Sequence, residues 1–314
     1  MRIVVTGGAG FIGANLCRTL AARADVSAVV AYDDLSTGFR ANLDHLTGVE
    51  LVEGSILDAD ALRRVAAGAD AIAHLAARPS VPLSLADPIA SHHVNVTGTV
   101  QVLEAAREVG AYVVVASSSA VYGENPATPK REDMAQAPVS PYGVTKVATE
   151  GYAAAYLESF GVPTLALRFF NVFGPLQPAG HAYAAVVPAF VSATLEERPI
   201  PMHGDGEQVR DFVFVDTVAQ VLAQAVIDRV VHASPVNLAS GTRTTLLGLV
   251  SELEAIVGRR LQIEHLPARQ GDIRDSHADQ TAFKSLFPDI APVDLRTGLL
   301  RTLEWFERSA RQPR

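Results

Sequence analysis

Ile3-Val4-Val5-Thr6-Gly7-Gly8-Ala9-Gly10-Phe11-Ile12-Gly13 is the stretch on which the reading of this chain turns. A short β-branched run breaks into glycines at 7, 10 and 13, and the segment from Ala14 to Ala22 has the pattern of a helix. A strand that passes through such a turn into a helix N-terminus aims unpaired backbone N–H groups at one point, where a pyrophosphate can be held. Alone, the glycine triplet is equally compatible with a purely structural turn.

Twenty residues past Gly13, at the end of the next apolar run, lies Asp33. A carboxylate at that place accepts from both hydroxyls of an adenosine ribose and repels a 2′-phosphate, so Asp33-Asp34 points to NAD rather than NADP. The plain alternative is a pair of solvated turn aspartates, and the spacing speaks against it.

Outward from the turn, the apolar runs Ala28 to Ala31, Leu51-Val52, Ala71 to Ala73, Val113 to Ala116 and Thr164 to Leu167 alternate with helix-length segments. Continuous apolar strands belong to a sheet covered on both faces. Their alternation with helices predicts a doubly wound parallel α/β sheet with right-handed crossovers. Beyond Asn171 the rhythm breaks at Gly174-Pro175, Gln177-Pro178, Arg198-Pro199 and His203-Gly204-Asp205-Gly206. We expect a dinucleotide-binding domain over 1–170 and a mainly substrate-binding, smaller domain over 171–314. Part of 209–240 is expected to return to the first, with a strand ending at Asp216-Thr217 and a helix after it. Leu295, Leu299, Leu303 and Phe306 fit one face of a terminal helix.

The 314 residues, 48% hydrophobic and 19% charged, supply ample material for a large core. A formal net charge of −8 leaves no basic stripe for nucleic acid. The single cysteine, Cys17, excludes an internal disulfide and a cysteine-rich metal site, and fits a cytoplasmic protein. No metal is expected. The burst from Arg2 to Thr6 is too short for the apolar core of a signal peptide, and no uninterrupted apolar stretch of about 18 residues predicts a membrane span.

The fifth apolar run ends in Ser117-Ser118-Ser119-Ala120-Val121-Tyr122-Gly123, and Tyr142-Gly143-Val144-Thr145-Lys146 follows after a proline-containing loop. Tyr142 and Lys146, four residues apart, share a helix face. A phenol with an ordinary pKa of about 10 is a weak base at neutral pH and needs a nearby cation. Lys146, helped by a positive nicotinamide, can supply that field. A serine hydroxyl at the C-terminal edge of a strand, where such folds bind ligands, can complete the set. Tyr-x-x-x-Lys alone recurs as an exposed helix pair; with the serine run and the dinucleotide turn it becomes specific.

Together these residues resemble the extended short-chain dehydrogenase/reductase family, and within it the UDP-sugar 4-epimerases. The matching stretches are Thr6 to Gly13, Asp33 to Gly38, His74-Leu75-Ala76-Ala77, Ser117 to Gly123, Tyr142 to Lys146, Arg168 to Pro175 and Arg210-Asp211-Phe212, which span nearly the whole chain. The resemblance implies a Rossmann-type domain with a smaller C-terminal substrate domain, a tightly held NAD, and a homodimer packed through two long helices per subunit, Ser91 to Val109 and Tyr142 to Phe160.

Carried onto this chain, the resemblance makes Tyr142 the proton acceptor, Lys146 its activator and ligand of the nicotinamide ribose, and Ser118 the hydroxyl partner, with Ser119 as the neighbouring alternative. It places NAD along Gly7, Gly10, Phe11, Ile12 and Gly13, then Asp33, Leu35, Ser36, Thr37 and Gly38. Further contacts are implied at Ser55, Ile56, Leu75, Ala76, Ala77, Asn95 and Phe170. Ser55 stands where many relatives carry an aspartate at the adenine amino group, and a serine can serve there. The nucleotide-sugar is implied to lie on Ser118, Ser119, Tyr142, Asn171, Val187, Arg210, Arg269, Asp272 and Ser276, with the two arginines on its diphosphate.

Related dehydratases place Asp and Glu directly after the catalytic Thr or Ser, and related uronate decarboxylases use a Glu there; this chain has Ser119 and Ala120. Neither shuttles a proton as a carboxyl does, so the expected chemistry is redox without elimination or decarboxylation. That is epimerisation at C4 of UDP-glucose, UDP-N-acetylglucosamine or UDP-glucuronate. A net nucleotide-sugar dehydrogenase or reductase is the competing enzyme, and a non-catalytic NAD-binding regulator the competing non-enzyme. An intact Ser118, Tyr142 and Lys146 speaks against the regulator. Ser276 leaves room beside the sugar where an aromatic would exclude N-acetylated substrates, and Ser80-Val81-Pro82 and the stretch from Gln177 to Val187 carry the same resemblance. Arg78, Gln177 and His181 are candidates for a uronate carboxylate.

Overall fold

The structure, a computed structural model, describes residues 1–179, 185–268 and 274–311. In chain order the first strands are β1 (Arg2–Thr6), β2 (Ala28–Asp33), β3 (Val49–Glu53), β4 (Ala71–His74), β5 (Tyr112–Ser118) and β6 (Thr164–Phe169). There follow β7 (Val172–Phe173), β8 (Ile200–His203), β9 (Val209–Arg210), β10 (Val213–Phe214), β11 (Val236–Leu238), β12 (Thr244–Thr245), β13 (Ile263–Leu266) and β14 (Asp275–Ser276). The helices are α1 (Phe11–Ala21), α2 (Ala59–Ala66), α3 (Val81–Ala86), α4 (Pro88–His92), α5 (Gly98–Val109) and α6 (Pro141–Phe160). After them come α7 (Val186–Leu195), α8 (Val215–Asp228), α9 (Leu246–Val257), α10 (Thr281–Leu286) and α11 (Leu295–Arg311).

Seven parallel strands make the main sheet in the order β3-β2-β1-β4-β5-β6-β11. The winding direction reverses between β1 and β4, and the Gly7 turn leaves β1 at that switch. Doubly wound sheets bind ligands at this place, beyond the C-terminal strand ends.

The continuous apolar runs are explained by the two faces. Ile3, Val5 and Val114 pack on one side with Leu16, Leu20, Val218 and Leu222 of α1 and α8. Val4, Val113 and Val115 pack on the other with Leu62, Leu103 and Ala153 of α2, α5 and α6. Each buried valine or leucine contributes about 1.5–3 kcal/mol relative to exposure, so polar residues have no place in these strands until the site begins.

Helix α6 has sharp ends. The Ser140 side chain accepts the Gly143 N–H at 3.1 Å, Pro141 occupies the first turn, and Gly161 closes the helix at φ 67°. The helix expected over 91–109 is instead interrupted, since residues His93–Thr97 form a π-type turn between α4 and α5. Helix α8 likewise begins at Val215 rather than after Thr217. Phe214 is its extended cap, and Asp216 falls in the first turn, where a carboxylate meets the positive helix end and pairs with Arg18 and Arg301.

A second core gathers Phe173, Phe190, Phe212, Phe214, Leu249, Leu299 and Leu303. Leu295 and Phe306 of α11 lie at its margin. Helix α10 rejoins the main sheet, bringing Phe283 and Phe287 into the core that holds Val226 and Leu238. No helix of the described residues is long and apolar enough to cross a membrane, and none of their His, Cys, Asp and Glu side chains cluster as a metal site.

Candidate active site

The turn after β1 is packed until only main chain fits. Gly7 has φ +71°, and a Cβ there would stand 2.7 Å from the Ala76 nitrogen; one on Gly13 would stand 2.0 Å from the Gly7 carbonyl oxygen. Asp33 is drawn into the same turn, its two carboxylate oxygens accepting the Ala9 N–H at 2.9 Å and the Leu35 N–H at 2.8 Å. Burial raises the Asp33 pKa above the usual carboxylate value, and those backbone donors oppose the rise. Gly38 closes over the carboxylate, leaving no room for a side chain, while Ser36 and Thr37 are exposed beyond it.

Gly10, Phe11, Ile12, Leu75, Ala76 and Ala77 are partly open around this turn. The Ser55 hydroxyl accepts the Leu57 N–H, and Ile56 is buried against Gly98. Two expected cofactor contacts sit further back. Asn95 is 1% exposed, with Oδ1 accepting the Arg78 N–H and Nδ2 donating to the Arg78 carbonyl and to Thr145. Phe170 is fully buried against Tyr122. Neither side chain is open to a ligand, because each is consumed in fastening the wall behind it.

The structure brings Ser118, Tyr142 and Lys146 together. Burial lifts the Tyr142 phenol above its ordinary value, and a hydrogen bond with Ser118 pulls it back. Lys146 Nζ lies 5.8 Å from the Tyr142 ring centroid and donates to the Ala116 carbonyl at 2.7 Å. Burial brings Lys146 down to about 8, with Glu150 acting the other way. Lys146 is expected to favour phenolate together with a positive nicotinamide; without that second charge, burial dominates the phenol.

The three serines separate clearly. Ser117 donates to Glu150, Ser118 meets Tyr142 and also caps the Ala120 N–H at 3.2 Å, and Ser119 makes no side-chain hydrogen bond among the described residues. Beneath them His74 bridges the hydroxyls of Thr6 at 2.8 Å and Thr99 at 3.1 Å.

A cavity of about 460 Å³ is lined by the expected substrate residues Asn171, Val187 and Arg210, together with Phe190, His203 and Phe212. Asn171 Nδ2 donates to the Asp211 carbonyl at 3.0 Å. The Asp211 carboxylate in turn gathers the N–H groups of Ser240, Gly241 and Ala278, and its burial pushes it up to about 6. Ser276 stands beside Arg210 in the parallel β14–β9 ladder. Arg269, Asp272 and His181 lie outside the described residues. Arg78 and Gln177 do not line the cavity; Arg78 is tied by its main chain to Asn95, and Gln177 Nε2 donates to the Val172 carbonyl. Sequence reasoning missed Phe190, His203 and Phe212. A usable signal for His203 was its place between the Ile200-Pro201-Met202 run and the turn at Gly204.

Residues 3–239 match the model of the NAD dependent epimerase/dehydratase family. The chain belongs to that family. It is 38% identical to a UDP-glucose 4-epimerase of Mycolicibacterium smegmatis over 322 residues, covering 99% of this chain and 100% of the relative. Its fold matches a UDP-N-acetylglucosamine 4-epimerase from Methanobrevibacter ruminantium, solved in complex with UDP-N-acetylmuramic acid, with a TM-score of 0.92, 33% identity and 98% of each chain covered. A UDP-glucuronic acid 4-epimerase from Bacillus cereus, solved with UDP-glucuronic acid and NAD, matches with a TM-score of 0.90 and 29% identity over 98% of this chain and 100% of that one.

The cofactor of this NAD-dependent epimerase/dehydratase is NAD, and the cradle described above fits it. Main chain lies bare at Gly7 and Gly13, where a pyrophosphate would fit against the N-terminus of α1, and the buried Asp33 carboxylate would repel a 2′-phosphate.

Proposed function

We propose that the protein is a UDP-sugar 4-epimerase. The observation that carries this reading is the meeting of Ser118, Tyr142 and Lys146 with Ser119-Ala120, rather than a carboxyl group, directly after Ser118. Tyr142 takes the proton of the sugar 4-hydroxyl while Ser118 holds the same oxygen by a hydrogen bond. Lys146, anchored on Ala116, keeps a positive charge near the phenol and binds the nicotinamide ribose. When bound, NAD supplies a hydride acceptor and donor at C4 and a further positive charge beside Tyr142. The 4-keto sugar turns over in the site, and Tyr142 returns its proton to the other epimer, so no net redox results.

The nucleotide end of the substrate belongs in the cavity of Asn171, Val187 and Arg210, with Arg210 and Arg269 making charge-assisted contacts to the diphosphate. Residues 171–314 thus serve mainly the substrate and 1–170 the cofactor, with β11 and α8 returning to the sheet. Ser276, paired with Arg210 in the β14–β9 ladder, is a small residue, consistent with a sugar end that accepts an N-acetyl group without rejecting a smaller sugar. The matched relatives named for UDP-glucose, UDP-N-acetylglucosamine and UDP-glucuronic acid support a substrate drawn from these three.

The enzyme works as a cytoplasmic homodimer in this reading. Leu85, Ile89, Val144, Tyr152 and Phe160 on α3, α4 and α6 are exposed apolar side chains suited to a second copy. The deciding experiment incubates the NAD-loaded protein separately with UDP-glucose, UDP-N-acetylglucosamine and UDP-glucuronate and resolves the C4 epimers by chromatography. Interconversion without stoichiometric NADH supports the proposal. Accumulating NADH would favour a dehydrogenase, and no conversion of any of the three would overturn it.

A further inference from the structure

Three consecutive residues at the end of β5 are held by three residues of α6. The Ala116 carbonyl accepts from Lys146 Nζ at 2.7 Å, Ser117 Oγ donates to Glu150 Oε1 at 2.5 Å, and Ser118 lies close enough to Tyr142 to lower the phenol's pKa. Residues 142, 146 and 150 lie four apart and form one stripe of the helix. Two of these rungs carry chemistry under the proposed function. The third does not.

Glu150 is 3% exposed and its carboxylate is saturated. Besides Ser117, it accepts from Arg168 Nε at 2.8 Å, Arg168 Nη2 at 2.9 Å and Gln136 Nε2 at 2.5 Å. Arg168 is itself 2% exposed and lies opposite Ser117 in the β5–β6 register. Its Nη1 donates to the Tyr122 hydroxyl at 2.8 Å, and that hydroxyl donates to Asn237 Oδ1 on β11 at 2.6 Å. A single charged brace therefore runs from α6 through β5 and β6 to β11.

Burying such a pair is costly, and well-packed apolar residues of the same volume often serve stability as well or better. Its distinguishing property is directional, because the fork of Arg168 and the carboxylate of Glu150 fix an angle and a separation that apolar contact would leave loose. We propose that Glu150, with Arg168, is a positioning residue that sets the spacing between the end of β5 and α6, and through it the approach of Ser118 to Tyr142 and the anchoring of Lys146. The inference rests on the catalytic reading of those three residues. The negative charge of Glu150 also helps Lys146 keep its proton.

The test uses full-length, NAD-loaded protein with UDP-glucose, UDP-N-acetylglucosamine and UDP-glucuronate as probes. It compares Glu150→Gln/Arg168→Met, which removes both charges together, with Ser117→Ala and Tyr142→Phe. A displacement of about 1 Å at such a site can cost on the order of a hundredfold in rate. We expect kcat to fall about tenfold or more in the double variant and several-fold in Ser117→Ala, with KM within about twofold of wild type. In Ser117→Ala, which leaves the ion pair in place, bound NAD and Tm stay near wild type. Unchanged kcat in Ser117→Ala and in the double variant, or a loss that follows NAD content and KM instead of kcat, would overturn the inference while Tyr142→Phe remains inactive. Full activity in Tyr142→Phe would instead remove the catalytic reading beneath it.

Discussion

Lys146 Nζ donates to the Ala116 carbonyl at 2.7 Å, two residues before Ser118, so the lysine is anchored to the strand that carries the hydroxyl. Its ammonium and the phenol of Tyr142 are thereby held to a common frame, and each can be removed separately.

Tyr142→Phe removes one oxygen and keeps the ring. We expect turnover to fall by about three orders of magnitude or more, since general acid–base groups contribute on the order of 10²–10⁴ and here the same group serves in both directions. Fold and bound NAD should stay near wild type, measured by Tm and by NAD released on denaturation. Ser118→Ala should also be severe and Ser119→Ala mild, because only Ser118 meets the phenol. Equal effects of the two serine changes would break this assignment.

Asp33 is proposed to set the cofactor preference. Wild type should bind NAD far more tightly than NADP by calorimetry, because a 2′-phosphate would face a buried carboxylate. Asp33→Ala should weaken NAD binding by about 1–3 kcal/mol and narrow the preference, and it should also loosen the turn, since Ala9 and Leu35 lose their acceptor. Equal affinity of wild type for the two cofactors would contradict the reading.

Arg210 lines the cavity and stands beside Ser276. Arg210→Ala should raise the apparent KM for the UDP-sugar by about tenfold to a hundredfold, the cost of a charge-assisted contact, with a smaller effect on Tm. Ser276→Tyr should impair an N-acetylated substrate more than UDP-glucose. Unchanged kinetics in Arg210→Ala would argue that the diphosphate lies elsewhere.

His74 gives a pH signature to stability. Burial, with Lys146 adding to it, pushes the imidazole from an ordinary 6.5 down to about 3. The folded value lies below the unfolded one, so the stabilisation is present above pH 6.5 and is lost progressively as pH falls toward 3. At pH 5 the loss should reach about 2 kcal/mol, at roughly 1.4 kcal/mol per pH unit. Asp211, raised to about 6, acts oppositely: its protonated form is favoured in the fold, so acidification from 6 toward 4 stabilises. That contribution is common to both proteins when wild type is compared with His74→Gln. The drop in Tm between pH 7 and pH 5 should therefore be smaller in the variant, and an equal drop would exclude a neutral buried His74.

The glycine turn, Asp33 and the i, i+4 pair of Tyr142 and Lys146 could be read from the chain because each depends on a spacing within one or two elements. The parallel sheet was readable for a related reason, as burial on both faces leaves unbroken apolar runs. The choice between Ser118 and Ser119 was a different matter, since it depends on which side of a strand end faces a helix two dozen residues away. The same holds for Asp211, whose partners at 240, 241 and 278 come from loops remote in sequence. Asn95 and Phe170 are motif positions whose side chains are buried against Arg78, Thr145 and Tyr122, partners that no local spacing announces. The start of α8 was misplaced because the apolar run of β10 continues into the buried side of the helix without a break.

The return of β11 and α10 to the main sheet limits how this protein could be recombined with a relative. A chimera exchanging everything after Asn171 would strip the seventh strand from β6, leave its edge unpaired, and remove Phe283 and Phe287 from beneath it. Sugar preference would have to be grafted as separate inserts, one between Gly174 and Phe212 and another between Ala239 and Gln280, with the intervening α8 and β11 left native. A loop exchange that respects those seams keeps the seven-stranded sheet and its Gly7 turn intact.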